Sequence, residues 1–493
     1  MEQNKTPRCN SQCIRKASHE QEAGRGHCAR FAESNLSSKF SLKFHPAASN
    51  IDSKTHGQAG KEFRPSKRHV VKTNVFLRVL AILGLAACVR LATQNLVASD
   101  DSSRSVAVRE PVFQSSRPLP LIGLPLITHV QVLDLDGTGR PAVVACDARG
   151  NRVIRLDRDA DGAWAESVLI DDVGVPAHAT FADVDADGDL DCLVAVLGDI
   201  YPSDEPVGRV ELFRRGPTGY SREVLLEDVR RVADIQAADL DADGDTDLAV
   251  AVFGYSRGEI LWLENRGDGQ FADHRLHSAA GGIHVPIADY DGDGDPDIAT
   301  IISQDDEELW AFENRGNGNF EPRMLWRTPN FDLGSAGLVA ADLDRDGDTD
   351  LILPTGDNLE DFAAYPQPYH GCLWFENRGD WTFTKHRIAD LGGTYAAAVD
   401  DLDGDGDSDI VLVSMANDWS ARDNASVVWL ENDGQQNFAT RQIASAPIHL
   451  VTVATGDLNG DDRPDIVAGS LNLRFPFDRI GGVTTWLSRG GQP

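Results

Sequence analysis

Asp401-Leu402-Asp403-Gly404-Asp405-Gly406-Asp407-Ser408-Asp409 packs five carboxylates into nine residues. They stand at positions one, three, five, seven and nine, with Gly406 at position six. Like charges this close repel one another unless a cation sits among them. A hard cation such as Ca2+ takes about six to eight oxygen ligands, and an Asp at every second position can wrap the chain around one. Glycine at position six permits the sharp turn because it accepts positive φ. Position seven is expected to offer its backbone carbonyl and position nine to close the shell. A lone copy would read equally well as a solvated Asp/Gly turn between strands.

The register recurs. Seven copies begin at Asp134, Asp183, Asp239, Asp289, Asp342, Asp401 and Asp457, at steps of 49, 56, 50, 53, 59 and 56 residues. Five copies are complete. Their acids are the expected ligand set: Asp183, Asp185, Asp187, Asp189 and Asp191; Asp239, Asp241, Asp243, Asp245 and Asp247; Asp289, Asp291, Asp293, Asp295 and Asp297; Asp342, Asp344, Asp346, Asp348 and Asp350; and Asp401, Asp403, Asp405, Asp407 and Asp409. The last copy keeps Asp457, Asn459, Asp461 and Asp465 but puts Asp462 at the glycine position. The first keeps Asp134, Asp136, Thr138 and Gly139, with Ala142 in the closing place. Recurrence at this spacing argues against solvated turns. Five Ca2+ sites are expected, with the Asp457 loop a candidate sixth and the Asp134 loop furthest from the pattern.

Charge narrows the partners. The 493 residues hold 46 Lys/Arg against 78 Asp/Glu, a formal net charge of -32. Residues 1–90 carry 16 Lys/Arg and 6 Asp/Glu, so the remainder carries -42. Phosphate binding needs a basic footprint, which excludes nucleic acid as the expected partner of the repeats. Bound divalent ions would offset much of the acidity. The seven cysteines form no CxxC or CxxCH motif. Cys146, Cys192 and Cys372 lie in or beside apolar runs and read as buried free thiols.

In chain order, residues 1–66 are polar and basic without periodicity and read as a disordered extension. Residues 67–99 read as a targeting segment. Lys67, Arg68 and Lys72 lead into the apolar run Val79–Val89, which is of signal-peptide length and short for a membrane span. Leu85-Ala86-Ala87-Cys88 matches a lipobox, with Cys88 as the lipidated residue. The rivals are cleavage near Ala98 and an uncleaved anchor over residues 74–96. Each alternative places the repeats outside the cytoplasm: at the cell surface, in a periplasm or secreted, with membrane contact only through this segment. Residues 100–110 form a linker, and the repeats occupy 111–493.

One repeat, Ile235 to Ala280, contains four strand-length runs. Ile235–Asp239 enters the acidic loop, Asp247–Phe253 is apolar throughout, Ile260–Glu264 carries Trp262, and Phe271–His277 is more polar. Four short strands in about 50 residues describe a propeller blade. A second strand apolar on both faces means that both faces are covered, as between stacked blades. The predicted fold is therefore all-β, a seven-bladed β-propeller. Trp262, Trp310, Trp374, Trp429 and Trp486 are expected in the cores between blades. The Glu-Asn turns after them (Glu264, Glu313, Glu376, Glu431) read as turn chemistry rather than catalytic acids. The last unit has only three strands, and a spare strand lies within Pro111–Leu121. That segment is expected to complete the seventh blade and close the ring, leaving no open sheet edge.

The Asp-x-Asp-x-Asp-Gly-x-x-Asp loops and Trp-x-Glu-Asn strands resemble the FG-GAP/VCBS-type repeat family, which includes the integrin alpha-chain propeller. The resemblance covers roughly 111–493 and implies Ca2+ in the loop between first and second strands of each blade. The Phe-Gly and Gly-Ala-Pro signatures that name the family are largely missing, with Phe253-Gly254 the nearest, so the resemblance is closer to the bacterial secreted branch.

Loops and Glu-Asn turns should share one rim. Opposite stand the long connections 198–204, 356–370, 414–422 and 470–478, rich in carboxylates, amides and aromatics. Such loops on a rigid scaffold suit recognition. The function expected is an exported, calcium-binding scaffold that takes a glycan or an extracellular protein on that face. The alternative is a lyase-type enzyme acting on polysaccharide or sugar, using His178, His284 and His449 with Asp357 or Asp418. No nucleophile elbow, HExxH or compact carboxylate pair supports it, and no residue is assigned a catalytic role.

Overall fold

The structure is a computed structural model that describes residues 112–115 and 125–489, apart from 268, 305, 331, 358–364, 474–475, 478 and 480. The expected extension, targeting segment with Cys88, and linker lie outside the described residues. Among the described residues no helix is long and apolar enough to cross a membrane.

Seven four-stranded antiparallel sheets form the blades of a propeller. Blade 1 runs Ile127–Leu133, Ala142–Asp147, Arg152–Arg158 and Trp164–Ile170. Blades 2 to 6 repeat the pattern, beginning at Pro176, Arg231, Ile287, Val339 and Thr394. First strands of neighbouring blades pack on one another and line the axis, while fourth strands form the periphery. The acidic loops join first to second strands, as the spacing predicted.

Every second strand is buried from its first residue to at least its sixth. Successive side chains of a strand point to opposite faces, so each second strand serves two cores. Val194 packs toward blade 1 with Val144, Cys146 and Val153. Its neighbours Leu193 and Ala195 pack toward blade 3 with Ile235, Leu248 and Val250. One such cluster fills each of the seven interfaces. Trp262, Trp374, Trp429 and Trp486 lie in these cores, whereas Trp310 is half-buried with its Nε1 donating to Glu308. Cys146, Cys192 and Cys372 are buried free thiols.

The last blade is completed by a strand that precedes blade 1 in the chain. Val112–Ser115 pairs antiparallel with Val483–Arg489, outside Asp465–Ser470 and Leu450–Gly456. Phe113 sets its ring edge-on to Trp429 at 6.4 Å and joins the core between blades 6 and 7. Replacing Phe113 with Ala is expected to cost about 1–3 kcal/mol, read as a lowered melting temperature; an unaltered melt would mean that the first strand does not secure the ring.

Candidate metal centres

The acidic loops share one backbone. Positions four and six both lie in the left-handed region, including the non-glycines Ala186 (φ 59°), Ala242 (φ 62°) and Arg345 (φ 60°) at position four. The N–H of position six donates to the position-one carboxylate in each complete loop: Gly188 to Asp183 (2.9 Å), Gly244 to Asp239 (3.1 Å), Gly294 to Asp289 (2.9 Å), Gly347 to Asp342 (3.1 Å) and Gly406 to Asp401 (3.0 Å). Position seven donates its N–H to position five in the same five loops. The chain thereby curls its acids inward instead of spreading them into solvent.

Position nine does more than the sequence reading assigned to it. Asp350 is fully buried; one of its oxygens accepts from Leu343 N at position two (3.0 Å), the other from Asn377 N at the end of the third strand (2.7 Å). Asp191, Asp247, Asp297, Asp409 and Asp465 repeat this pair of bonds. Burial, offset in part by these N–H donors, lifts Asp297, Asp350 and Asp409 to about 7, and Asp247 and Asp465 to about 6. With no cation beside it, each of these carboxyls is a costly charge to bury.

In four loops the carboxylates of positions one, three and nine bring oxygens within 4.8 Å of one another: Asp239/Asp241/Asp247, Asp289/Asp291/Asp297, Asp342/Asp344/Asp350 and Asp401/Asp403/Asp409. In the second loop the trio is Asp183/Asp185/Asp187. Oδ1 of Asp342, Oδ1 of Asp344 and Oδ2 of Asp403 are buried and accept no hydrogen bond. Orphaned buried carboxylate oxygens at the centre of an acidic loop are what a hard cation satisfies. The donor set fits a metal ion.

A family model described as an FG-GAP-like repeat matches residues 134–194, 239–300, 289–353 and 401–468. The chain is an FG-GAP repeat propeller. No curated protein matches it. Among solved structures, two crystal structures of BBS1N in complex with ARL6DN, one soaked with lead and one with mercury, align at a TM-score of 0.47 and 10% identity. Each alignment covers 77% of this chain and 98% of that chain.

Other expected ligands of the FG-GAP propeller stay outside these trios. Asp243, Asp293, Asp346 and Asp405 at position five are among them, as are Asp189, Asp245, Asp295, Asp348 and Asp407 at position seven. The position-seven carboxylates of Asp245 and Asp407 lie against Gly267 and Gly434 of the Glu-Asn turns, where a Cβ would collide with them. This contact explains the glycine in those turns. The turn asparagines reach further. Asn314 Nδ2 donates to Leu240 O (2.7 Å) and Asn377 Nδ2 to Tyr290 O (2.8 Å), each in the loop of the preceding blade. Glu264 and Glu376 pair across the sheet with His274 and His386 at 2.7 Å, and Glu313 and Glu431 with Arg323 and Arg441.

The irregular loops have physical replacements for an ion. In the first, Asp136 pairs with Arg155 (2.6 Å) and Arg215 (2.9 Å), so two guanidinium groups supply the positive charge. In the last, Asn459 Nδ2 donates to both oxygens of Asp465 (3.3 and 3.1 Å), and Asp462 adopts φ 60° in place of glycine. The second loop is complete, and there Arg214 also reaches Asp185 at 3.3 Å without displacing the acidic trio.

The histidines do not assemble as the enzyme alternative requires. His178 lies inside its first strand rather than before it, with Nδ1 2.5 Å from Asp234 Oδ1. His284 contacts Leu338 and faces His178 at 6.5 Å. His449 instead bonds Met415 O (3.0 Å) and Pro476 O (3.3 Å) beside Trp419. His129, which the sequence reading passed over, lies 3.6 Å from His178, ring to ring. Its signal was available: His129 and His178 both stand five residues ahead of a loop.

Asp350→Ala removes the acceptor of two buried N–H groups and is expected to cost about 2–5 kcal/mol. The loss should appear in chelator as well as in added divalent cation; a melting temperature unaffected in chelator would reduce Asp350 to a ligand only.

Proposed function

We propose that this protein is an exported binding scaffold whose blades are held by Ca2+ and whose ligand, a glycan or an extracellular protein, docks on the rim opposite the acidic loops. Four exposed aromatics carry the reading. Tyr201, Tyr255, Tyr365 and Phe477 are 64%, 48%, 58% and 41% accessible. All four stand on connections between second and third strands, in blades 2, 3, 5 and 7. Aromatic faces beside carboxylates and amides suit sugar rings and protein loops alike. The FG-GAP propeller fold is itself suited to presenting such loops from a stiff ring.

Ca2+ is the ion proposed because the donors are all oxygen and the loops are open to solvent on one side. Asp239, Asp241 and Asp247 and their counterparts in the next three blades would hold it, with Asp183, Asp185 and Asp187 in blade 2. The ion would neutralise the buried position-nine carboxyls and link first strand, second strand and turn. An ion that binds only the folded protein stabilises it by about 2.7 kcal/mol at a hundredfold excess over Kd. The enzyme alternative is not pursued, since His284 and His449 keep separate partners.

Exhaustive chelation is expected to lower the melting temperature and added Ca2+ to restore it; an identical melt in both would remove the ion from the account. Protons compete for the carboxyls near 7, so Ca2+ affinity in calorimetric titrations should weaken as pH falls from above 7 toward 6. On a glycan array, Tyr201→Ala and Tyr255→Ala should each weaken binding by about tenfold. Binding that survives both replacements would move the ligand to another surface.

A further inference from the structure

One residue per blade stands five places ahead of the acidic loop: His129, His178, Asp234, His284, Gly337, Ala396 and Thr452. In blades 1, 2, 3, 6 and 7 it directly follows a β-bulge in the first strand. A bulge re-aims the side chain beside it, and here the polar side chains reach along the ring to the next blade. Thr452 Oγ1 accepts from Val130 N (3.0 Å), Asp234 Oδ2 from Val285 N (3.0 Å), and His284 Nδ1 from Leu338 N (3.1 Å). His129 Nδ1 faces Ala179 N at 3.5 Å. Each of these N–H groups belongs to the residue four places ahead of its own loop. Between blades 2 and 3 the link is His178 to Asp234. Gly337 and Ala396 can make no such bond, so the lacing is concentrated in the seams of blades 1 to 5 and at blades 7 to 1.

The protonation states follow from the donors. Leu338 N lies 3.1 Å from His284 Nδ1 and Leu338 O 3.4 Å from it; with the shorter contact as the hydrogen bond, Nδ1 keeps a bare lone pair and the ring is neutral with its proton on Nε2. The same holds for His129. That tautomer also leaves neither ring a lone pair at Nε2 for a transition metal. His178 differs, because its Nδ1 faces the Asp234 carboxylate, to which a proton on that nitrogen donates. Asp234 is the only carboxylate in the arc among the described residues. Its Oδ1 also accepts from Ile235 N (2.8 Å) and Gln236 Nε2 (3.0 Å). The titratable groups facing one another are thus His129 from blade 1, His178 from blade 2, Asp234 from blade 3 and His284 from blade 4; Thr180 and Gln236 are the uncharged polar neighbours.

We propose that the arc is a proton-operated seam, which is unlaced when a proton enters His129 or His284. That proton converts a hydrogen-bond acceptor into a donor aimed at an N–H, on a ring 3.6 Å (His129) or 6.5 Å (His284) from the ring of His178. Burial, then His178, lowers His129 against the pull of Asp234; burial likewise lowers His284. The sign is therefore fixed. The unfolded chain takes these protons below about 6.5 while the fold resists them. Stability from the arc is present above that value and is lost as pH falls. Between about pH 6.5 and 5.5 the unfolded imidazole passes from half to nearly full protonation, so each ring held neutral changes the folding equilibrium by about fivefold. Two rings give about thirtyfold.

The test compares the full chain with His129→Asn/His284→Asn at one saturating Ca2+ concentration. Asn Oδ1 can take the place of Nδ1 as acceptor and does not titrate. Between about pH 6.5 and 5.5 the folding equilibrium of the native protein should fall about thirtyfold more than that of the variant; parallel profiles would overturn the proposal. If the double variant fails to fold, His284→Asn alone should remove about fivefold of the difference. Hydrogen exchange of the native protein gives an independent reading. At the lower pH, after correction for intrinsic rates, residues 127–133, 176–182 and 231–238 should lose protection relative to 394–400. Uniform loss around the ring would refute the seam.

Discussion

A buried carboxylate that accepts two backbone N–H bonds is the interaction on which this propeller depends. It recurs at Asp191, Asp247, Asp297, Asp350, Asp409 and Asp465. Each ties the loop's second residue to the end of the third strand, and that second residue is always apolar and buried: Val184, Leu240, Tyr290, Leu343, Leu402 and Leu458. One side chain thus anchors an acidic loop to a hydrophobic core. The arrangement carries its own penalty, since an ionised carboxyl without solvent favours proton uptake. A cation among the acids would relieve that penalty, so loop, core and ion would stabilise one another.

The same chemistry makes one rim stiff and leaves the other free to vary. On the loop rim, the Asn314 and Asn377 amides cross from blade to blade. Around the axis, Thr452, Asp234 and His284 lace first strands together. On the far rim the connections range from the short span of Ala148–Asn151 to the long one ending at His370. An apolar cluster of Leu126, Met415, Val451 and Leu471, drawn from blades 1, 6 and 7, packs beneath that rim. The connections of blades 1, 6 and 7 therefore share an apolar contact.

Much of this was legible in the chain. The five-acid register gave the loops, the apolar runs after it gave the doubly covered second strands, and the three-strand final unit demanded Val112–Ser115 as its partner. These are short-range patterns, fixed by spacing alone. What spacing cannot reveal is which atoms meet across blades. Arg155 and Arg215 taking the place of an ion at Asp136 depends on a contact between residues 79 apart. His129, His178, Asp234 and His284 look like scattered polar residues until the ring brings them to one level. Position nine looked like one more ligand because its N–H donors lie seven residues back and up to 27 residues ahead.

The pairing of Val112–Ser115 with Val483–Arg489 joins the earliest described strand to the latest. During synthesis, six of the wheel's spokes can form in order behind the ribosome, yet the seventh waits for Val483–Arg489 to emerge. Until then its founding strand has no partner, and any product cut short leaves a gap with two raw edges. Such edges recruit other strands. The ring thus has a built-in check on closure, because only a chain that carries both Val112–Ser115 and Val483–Arg489 can cover these two edges.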